Sequence, residues 1–99
     1  MYQVVKLYGN VEPWWFLDGW KDDIIMTKEF DDYYSALKFY TEEWMKLFQS
    51  KQRFKSKGRG MSTFWDKQDY LWCEECADYL QQYHSLAILL DWQALPKSG

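Results

Sequence analysis

Histidine, cysteine and proline are scarce in this chain: one, two and two of them among 99 residues. A lone histidine, His84, and no serine in a nucleophile elbow leave no nucleophile–base–orienter set for covalent catalysis. The five glycines form no phosphate-cradling loop. Adjacent acid pairs, Asp22-Asp23 and Asp31-Asp32, rarely converge on one substrate, and the second is explained by helix capping. The expectation is a protein that is not an enzyme. No run of about 18 apolar residues exists to span a bilayer. The start, Met1-Tyr-Gln-Val-Val-Lys6, lacks the charged and apolar regions of a secretory signal. A cytoplasmic protein with no membrane partner is expected, in which two cysteines serve as thiols or metal ligands rather than a structural bridge.

Acidic residues are missing from one stretch. None occurs between Glu43 and Asp66, where Lys46, Lys51, Arg53, Lys55, Lys57 and Arg59 supply six positive charges. The net charge is −3, so the rest of the chain, with 6 basic and 15 acidic residues, carries −9. A basic segment sits on an acidic body.

Aromatic residues are abundant: 7 Trp, 8 Tyr and 6 Phe. Each buried ring removes about 150–250 Å² from water, so a few of them dominate the stability of a chain this short. The length suits one compact domain over residues 1–95, with Pro96-Lys-Ser-Gly99 as a polar tail.

Along the chain, Tyr2–Tyr8 reads as a strand that ends at the turn signal Gly9-Asn10. Val11–Trp20, aromatic but broken by Pro13 and Gly19, reads as an ordered loop. Asp23–Phe30 reads as a second strand. Asp31 or Asp32 caps a helix that runs to about Ser50. Its apolar face is Tyr34, Leu37, Tyr40, Trp44, Leu47 and Phe48, with Glu42, Glu43 and Lys46 on the other side. A basic connection, Lys51–Gly60, leads to a strand at Met61–Trp65 and a turn at Asp66–Asp69. A short return strand at Tyr70–Trp72 and a second, shorter helix between Glu74 and Tyr83 follow. The apolar run Leu86–Trp92 reads as a buried strand. The expected class is α+β: a small, mostly antiparallel sheet with one long and one short helix packed on one face.

Three constellations could carry function. Lys51, Arg53, Lys55, Lys57 and Arg59 fall on alternate residues, so in an extended chain they line one face with Phe54 opposite. Evenly spaced cations suit a phosphate backbone, and Phe64 and Trp65 are candidate stacking rings for unpaired bases. The bland reading is a solvated loop whose first cations complement the helix end.

The second is Trp72-Cys-Glu-Glu-Cys76. The preceding tryptophan suits a thioredoxin-type site, but Glu74 and Glu75 oppose a thiolate. Only 23 residues follow the motif, and Pro13 and Pro96 are the only prolines available to face it. As half of a zinc site it would use Cys73, Cys76 and His84. On one unbroken helix the gap from Cys76 to His84 would span about 12 Å, too far for one ion. The trio therefore needs the cysteines on a turn. The bland reading is a pair of half-buried thiols beside a hydrogen-bonded histidine.

The third is Trp14, Trp15 and Trp20, a partner-binding patch if exposed and a satellite core if folded over the sheet. The favoured reading is a non-catalytic binding module that meets nucleic acid through the basic segment. The alternatives are a zinc- or thiol-dependent site and a protein-interaction patch.

Glu12-Pro-Trp-Trp-Phe16, Phe64-Trp65, Trp72-Cys-Glu-Glu-Cys76 and Leu80-Gln-Gln-Tyr-His84, in that order, resemble a known set. They are similar to the small proteins of low-GC Gram-positive bacteria grouped as domain-of-unknown-function family 1033. The resemblance spans nearly the whole chain. It implies a cytoplasmic bacterial protein, some of whose relatives run on past Gly99. It transfers no catalytic residue.

Overall fold

The computed structural model describes residues 1–9, 20–57, 60–75 and 77–95. Eight strands and one long helix follow in the order β1 (Tyr2–Gly9), a 3-10 turn (Trp20–Asp23), β2 (Ile24–Phe30), α1 (Tyr33–Ser50), β3 (Arg53–Lys57), β4 (Met61–Trp65), β5 (Tyr70–Cys73), β6 (Asp78–Gln81), β7 (Tyr83–Leu90) and β8 (Gln93–Ala94). The main sheet runs β2-β1-β7-β4-β3 with every pair antiparallel, and β8 adds to β7. The protein is α+β, as its alternation of strand and helix signals predicts.

The sheet centre is dictated by two apolar runs. Val4, Val5 and Leu7 of β1 and Leu86–Leu89 of β7 are buried, because both faces of these two strands are covered. Val4, Leu86 and Ile88 face α1, where Ala36 is buried and Leu37, Phe39, Tyr40, Trp44 and Leu47 pack down. Val5, Leu7, Met61, Ala87 and Leu89 form a second cluster on the opposite face, with Ile24 at its margin. Each large side chain so buried contributes about 1.5–3 kcal/mol.

α1 starts where its cap dictates. Asp32 has extended backbone angles, and its carboxylate accepts from the Ser35 amide at 2.8 Å and the Ser35 hydroxyl at 2.9 Å. Those bonds to the charged form hold its pKa below the usual carboxylate range. Trp44 anchors the other half of the helix. Its ring stacks on Phe48 at 5.1 Å and meets Phe64 and Phe54 edge-on at 5.5 and 5.6 Å. Its indole N–H donates to Ser62 Oγ at 3.0 Å, which also lies 2.7 Å from the Tyr40 hydroxyl and 2.8 Å from Ser56 Oγ.

The structure departs from the sequence reading in four places. Glu43, expected on the solvent side of α1, is 7% exposed and faces the sheet, because Lys6 of β1 rises to meet it. The basic connection is ordered from Arg53 to Lys57 as edge strand β3, paired to β4 from Arg53↔Trp65 to Lys57↔Met61. Among the described residues there is no shorter helix between Glu74 and Tyr83: Asp78–Gln81 is β6, paired to β5 in a separate two-stranded sheet. The cause is cross-strand packing, with Leu71 opposite Leu80 and Trp72 against Tyr79 at 5.0 Å, over a turn that Ala77 completes with φ of 51°. Last, β7 begins at Tyr83 and stops at Leu90, because Asp91 and Trp92 have φ of 50° and 65° and turn the chain back into β8.

Candidate functional site

β3 is the outer strand of the sheet, so its side chains reach solvent on both faces. Residues paired in register share a face. Phe54, paired to Phe64, lies on the helix side and stacks into the Trp44–Phe48 ring group. Arg53 and Lys55, paired to Trp65 and Thr63, lie on the side away from α1 and are exposed. Trp65 is half-buried there, edge-on to Tyr83 at 5.4 Å.

Among the described residues, Arg53 and Lys55 thus share one face beside an aromatic pair. Two expected members are placed elsewhere. Phe64 is fully buried against Trp44, so Trp65 is the ring of that pair within reach of a partner. Lys51 lies before the strand, where its ammonium pairs with Asp66 at 3.6 Å. The Lys57 side chain and Arg59 lie outside the described residues.

A second grouping was not visible in the sequence. The antiparallel register of β1 on β7 sets Tyr8 opposite His84, with ring centroids 4.6 Å apart. The Tyr8 hydroxyl donates to Asp69 at 3.1 and 3.2 Å to its two oxygens, and His84 Nε2 lies 3.9 Å from Asp69 Oδ2. Burial lowers the His84 pKa, and Lys51 adds to that against the opposing pull of Asp69 and Asp66. Burial, the hydrogen bond to Asp69 and its charge together raise the Tyr8 pKa.

These three side chains include no nucleophile for His84 to activate. They instead fasten the foot of the β5–β6 hairpin. The Asp69 carbonyl accepts from the Gln82 amide at 2.8 Å and from Gln81 Nε2 at 3.0 Å.

Cys73 ends β5 and is half-buried, opposite Asp78. Cys76, Trp14 and Trp15 lie outside the described residues, as does the Trp20 side chain. Among the described residues no three of His, Cys, Asp and Glu converge as metal ligands. No described helix is long and apolar enough to cross a membrane.

A cleft of about 410 Å³ opens between the hairpin and the end of β1. Among the described residues it is lined by Tyr8, Gly9, Asp23, Leu71, Trp72, Cys73, Leu80 and Gln82. Gly9 makes room for the Asp23 carboxylate, which would lie 2.7 Å from any Cβ at that position. Burial raises the Asp23 pKa, and the neighbouring charge of Asp22 raises it further.

Comparison with known proteins gives one assignment. The chain belongs to the DUF1033 family. The model of that family, described as a protein of unknown function, matches residues 1–99. No curated protein and no solved structure is significantly similar to the chain.

Proposed function

We propose that the protein is a non-catalytic binding module that holds single-stranded nucleic acid along β3. The observation that carries this reading is the face shared by Arg53 and Lys55, two residues apart on the exposed edge strand β3, with Trp65 of the neighbouring β4. Cations at that spacing match successive phosphates, while the Trp65–Tyr83 pair offers a ring face for a base. Arg53, with its planar fork, suits phosphate oxygens in a bidentate way. The acidic remainder of the chain favours a short, single-stranded segment over a long duplex, whose charge it repels.

The test is fluorescence anisotropy with a labelled oligothymidine at several salt concentrations. Binding is expected to weaken with salt at a log–log slope of about −0.7 per phosphate contacted. The double variant Arg53→Ala, Lys55→Ala is expected to flatten that slope by roughly 1.4. A slope unchanged in that variant, or no binding at low salt, overturns the reading. It would leave the cations as edge protection against strand pairing with other chains.

A further inference from the structure

The β5–β6 hairpin, in a sheet separate from β3, carries a further feature. β5 and β6 each contain four residues, and four of their large side chains stand open to water: Tyr70 at 49%, Leu71 at 51%, Trp72 at 53% and Tyr79 at 62% exposed. A two-stranded sheet is marginal alone in water. Its described hydrogen bonds to the rest of the chain gather at its foot, through Asp69, Gln81 and Gln82, and its aromatic residues face solvent instead of core. Exposed Trp and Tyr rings grouped in this way are the composition of interface anchors. Neither outer edge of the hairpin pairs with another described strand, so an extended chain can add to it.

The cleft beneath the hairpin fixes the chemistry of the occupant. Its floor holds the Asp23 carboxylate, partly desolvated and next to another acid, Asp22. No described cation lies within ion-pairing distance of Asp23. Its walls include Leu71, Trp72 and Leu80. An apolar passage ending on a carboxylate matches a side chain with a long apolar stem and a cationic head, which describes lysine and arginine. The Trp72–Tyr79 pair, on the other face of the hairpin from Leu71 and Leu80, offers an aromatic face to the alternate side chains of the same extended peptide. A small free amine would satisfy Asp23 but leave the hairpin rings uncovered; an extended peptide covers both.

We propose that the cleft between the β5–β6 hairpin and β1 docks an extended peptide of a partner protein, with one lysine or arginine of that peptide seated against Asp23. The site is distinct from the cationic row on β3. Phosphate is repelled by the same carboxylates that recruit the peptide, so the two functions separate by charge.

The probe is a labelled, end-capped peptide alternating arginine with valine, compared with one in which glutamate replaces arginine. The arginine peptide is expected to bind by anisotropy and the glutamate peptide not to. Asp23→Asn, an isosteric change, is expected to weaken binding about tenfold, the usual worth of one charge-assisted hydrogen bond. The same variant leaves oligothymidine affinity unchanged, whether or not that affinity exists. As a check free of any variant, hydrogen exchange on the wild-type protein is expected to show peptide-induced protection in Tyr70–Cys73 and Asp78–Gln81. Equal binding of the two peptides, full binding by Asp23→Asn, or protection confined to other strands overturns the proposal. So does competition by a simple arginine ester as effective as the peptide, which would make the ligand a small cation.

Discussion

Glu43 on α1 and Lys6 on β1 form an ion pair 3.2 Å long between helix and sheet, and Lys46 approaches the same carboxylate oxygen at 3.4 Å. That oxygen is buried and has no hydrogen bond of good geometry, so the attraction is mainly electrostatic. Burial alone would raise the Glu43 pKa, but Lys6 and then Lys46 outweigh it and the net shift is downward.

Glu43→Ala strands the partly buried Lys6 ammonium. The expected loss is about 2–3 kcal/mol, below the roughly 3–5 of a fully buried pair because Lys6 keeps some water. The double variant Lys6→Met, Glu43→Leu is expected to lie within about 1 kcal/mol of wild type, since apolar packing replaces the pair. Urea unfolding of the three proteins decides it. A depressed pKa also means that this contribution is complete above the ordinary carboxylate value and disappears as pH falls through the lowered one.

His84 has the opposite consequence at milder pH. Its folded-state pKa is lowered, so as pH falls through about 6.5 the unfolded chain takes up a proton that the folded chain resists. Stability should therefore decline as pH falls through about 6.5 toward the lowered folded-state value, with Lys51 and Lys6 opposing the protonated ring and Asp69 and Asp66 favouring it. His84→Phe keeps a ring against Tyr8 and removes the proton site. Its denaturation midpoint is expected to be flatter over that window, and a decline as steep as wild type would assign the effect elsewhere.

The parts of this fold that were legible in the sequence are those set by local pattern. The cap at Asp32, the ring spacing that became the Trp44 stack, and the apolar runs of β1 and β7 all specify their elements without help from distant residues. Alternation in the basic segment was legible for the same reason. Glu43 was misread because amphipathic period assigns acids to solvent, and only the register of β1 brings Lys6 beneath it. The hairpin was misread because Asp78–Gln81 has no strong period of its own and is held by pairing with Tyr70–Cys73. Tyr8, Asp69 and His84 come from three separate segments, and their meeting depends wholly on strand order.

Ser62 is the next residue whose role follows from position. It is buried, and its hydroxyl is shared by Tyr40, Trp44 and Ser56. Ser62→Ala removes that oxygen, which takes away the tyrosine hydroxyl's partner and leaves the indole N–H with the longer contact to Ser56 at 3.4 Å. The expected cost is about 1–3 kcal/mol. Ser62→Thr retains the oxygen, and any loss it shows reports steric fit alone. Equal losses in the two variants would mean that packing, rather than the shared hydroxyl, governs this position.

Ala77 offers a way to tell whether the exposed hairpin is a cooperative unit of its own. Its φ of 51° lies in the left-handed region, which costs a residue with a Cβ about 1–2 kcal/mol and glycine almost nothing. Part of the relief in Ala77→Gly is offset by the extra freedom that glycine brings to the unfolded chain. A net gain of about 0.5 kcal/mol is expected, and for a hairpin that opens independently it slows amide exchange in β5 and β6 about twofold. Exchange in β1 and β7, which are joined to each other along their whole length, should then stay as it was. If the central strands slow by the same factor, the hairpin opens only when the whole sheet does. Its bond to Asp69 would then be part of the global fold, and a peptide bound there would raise the melting temperature of the entire protein instead of quieting one hairpin.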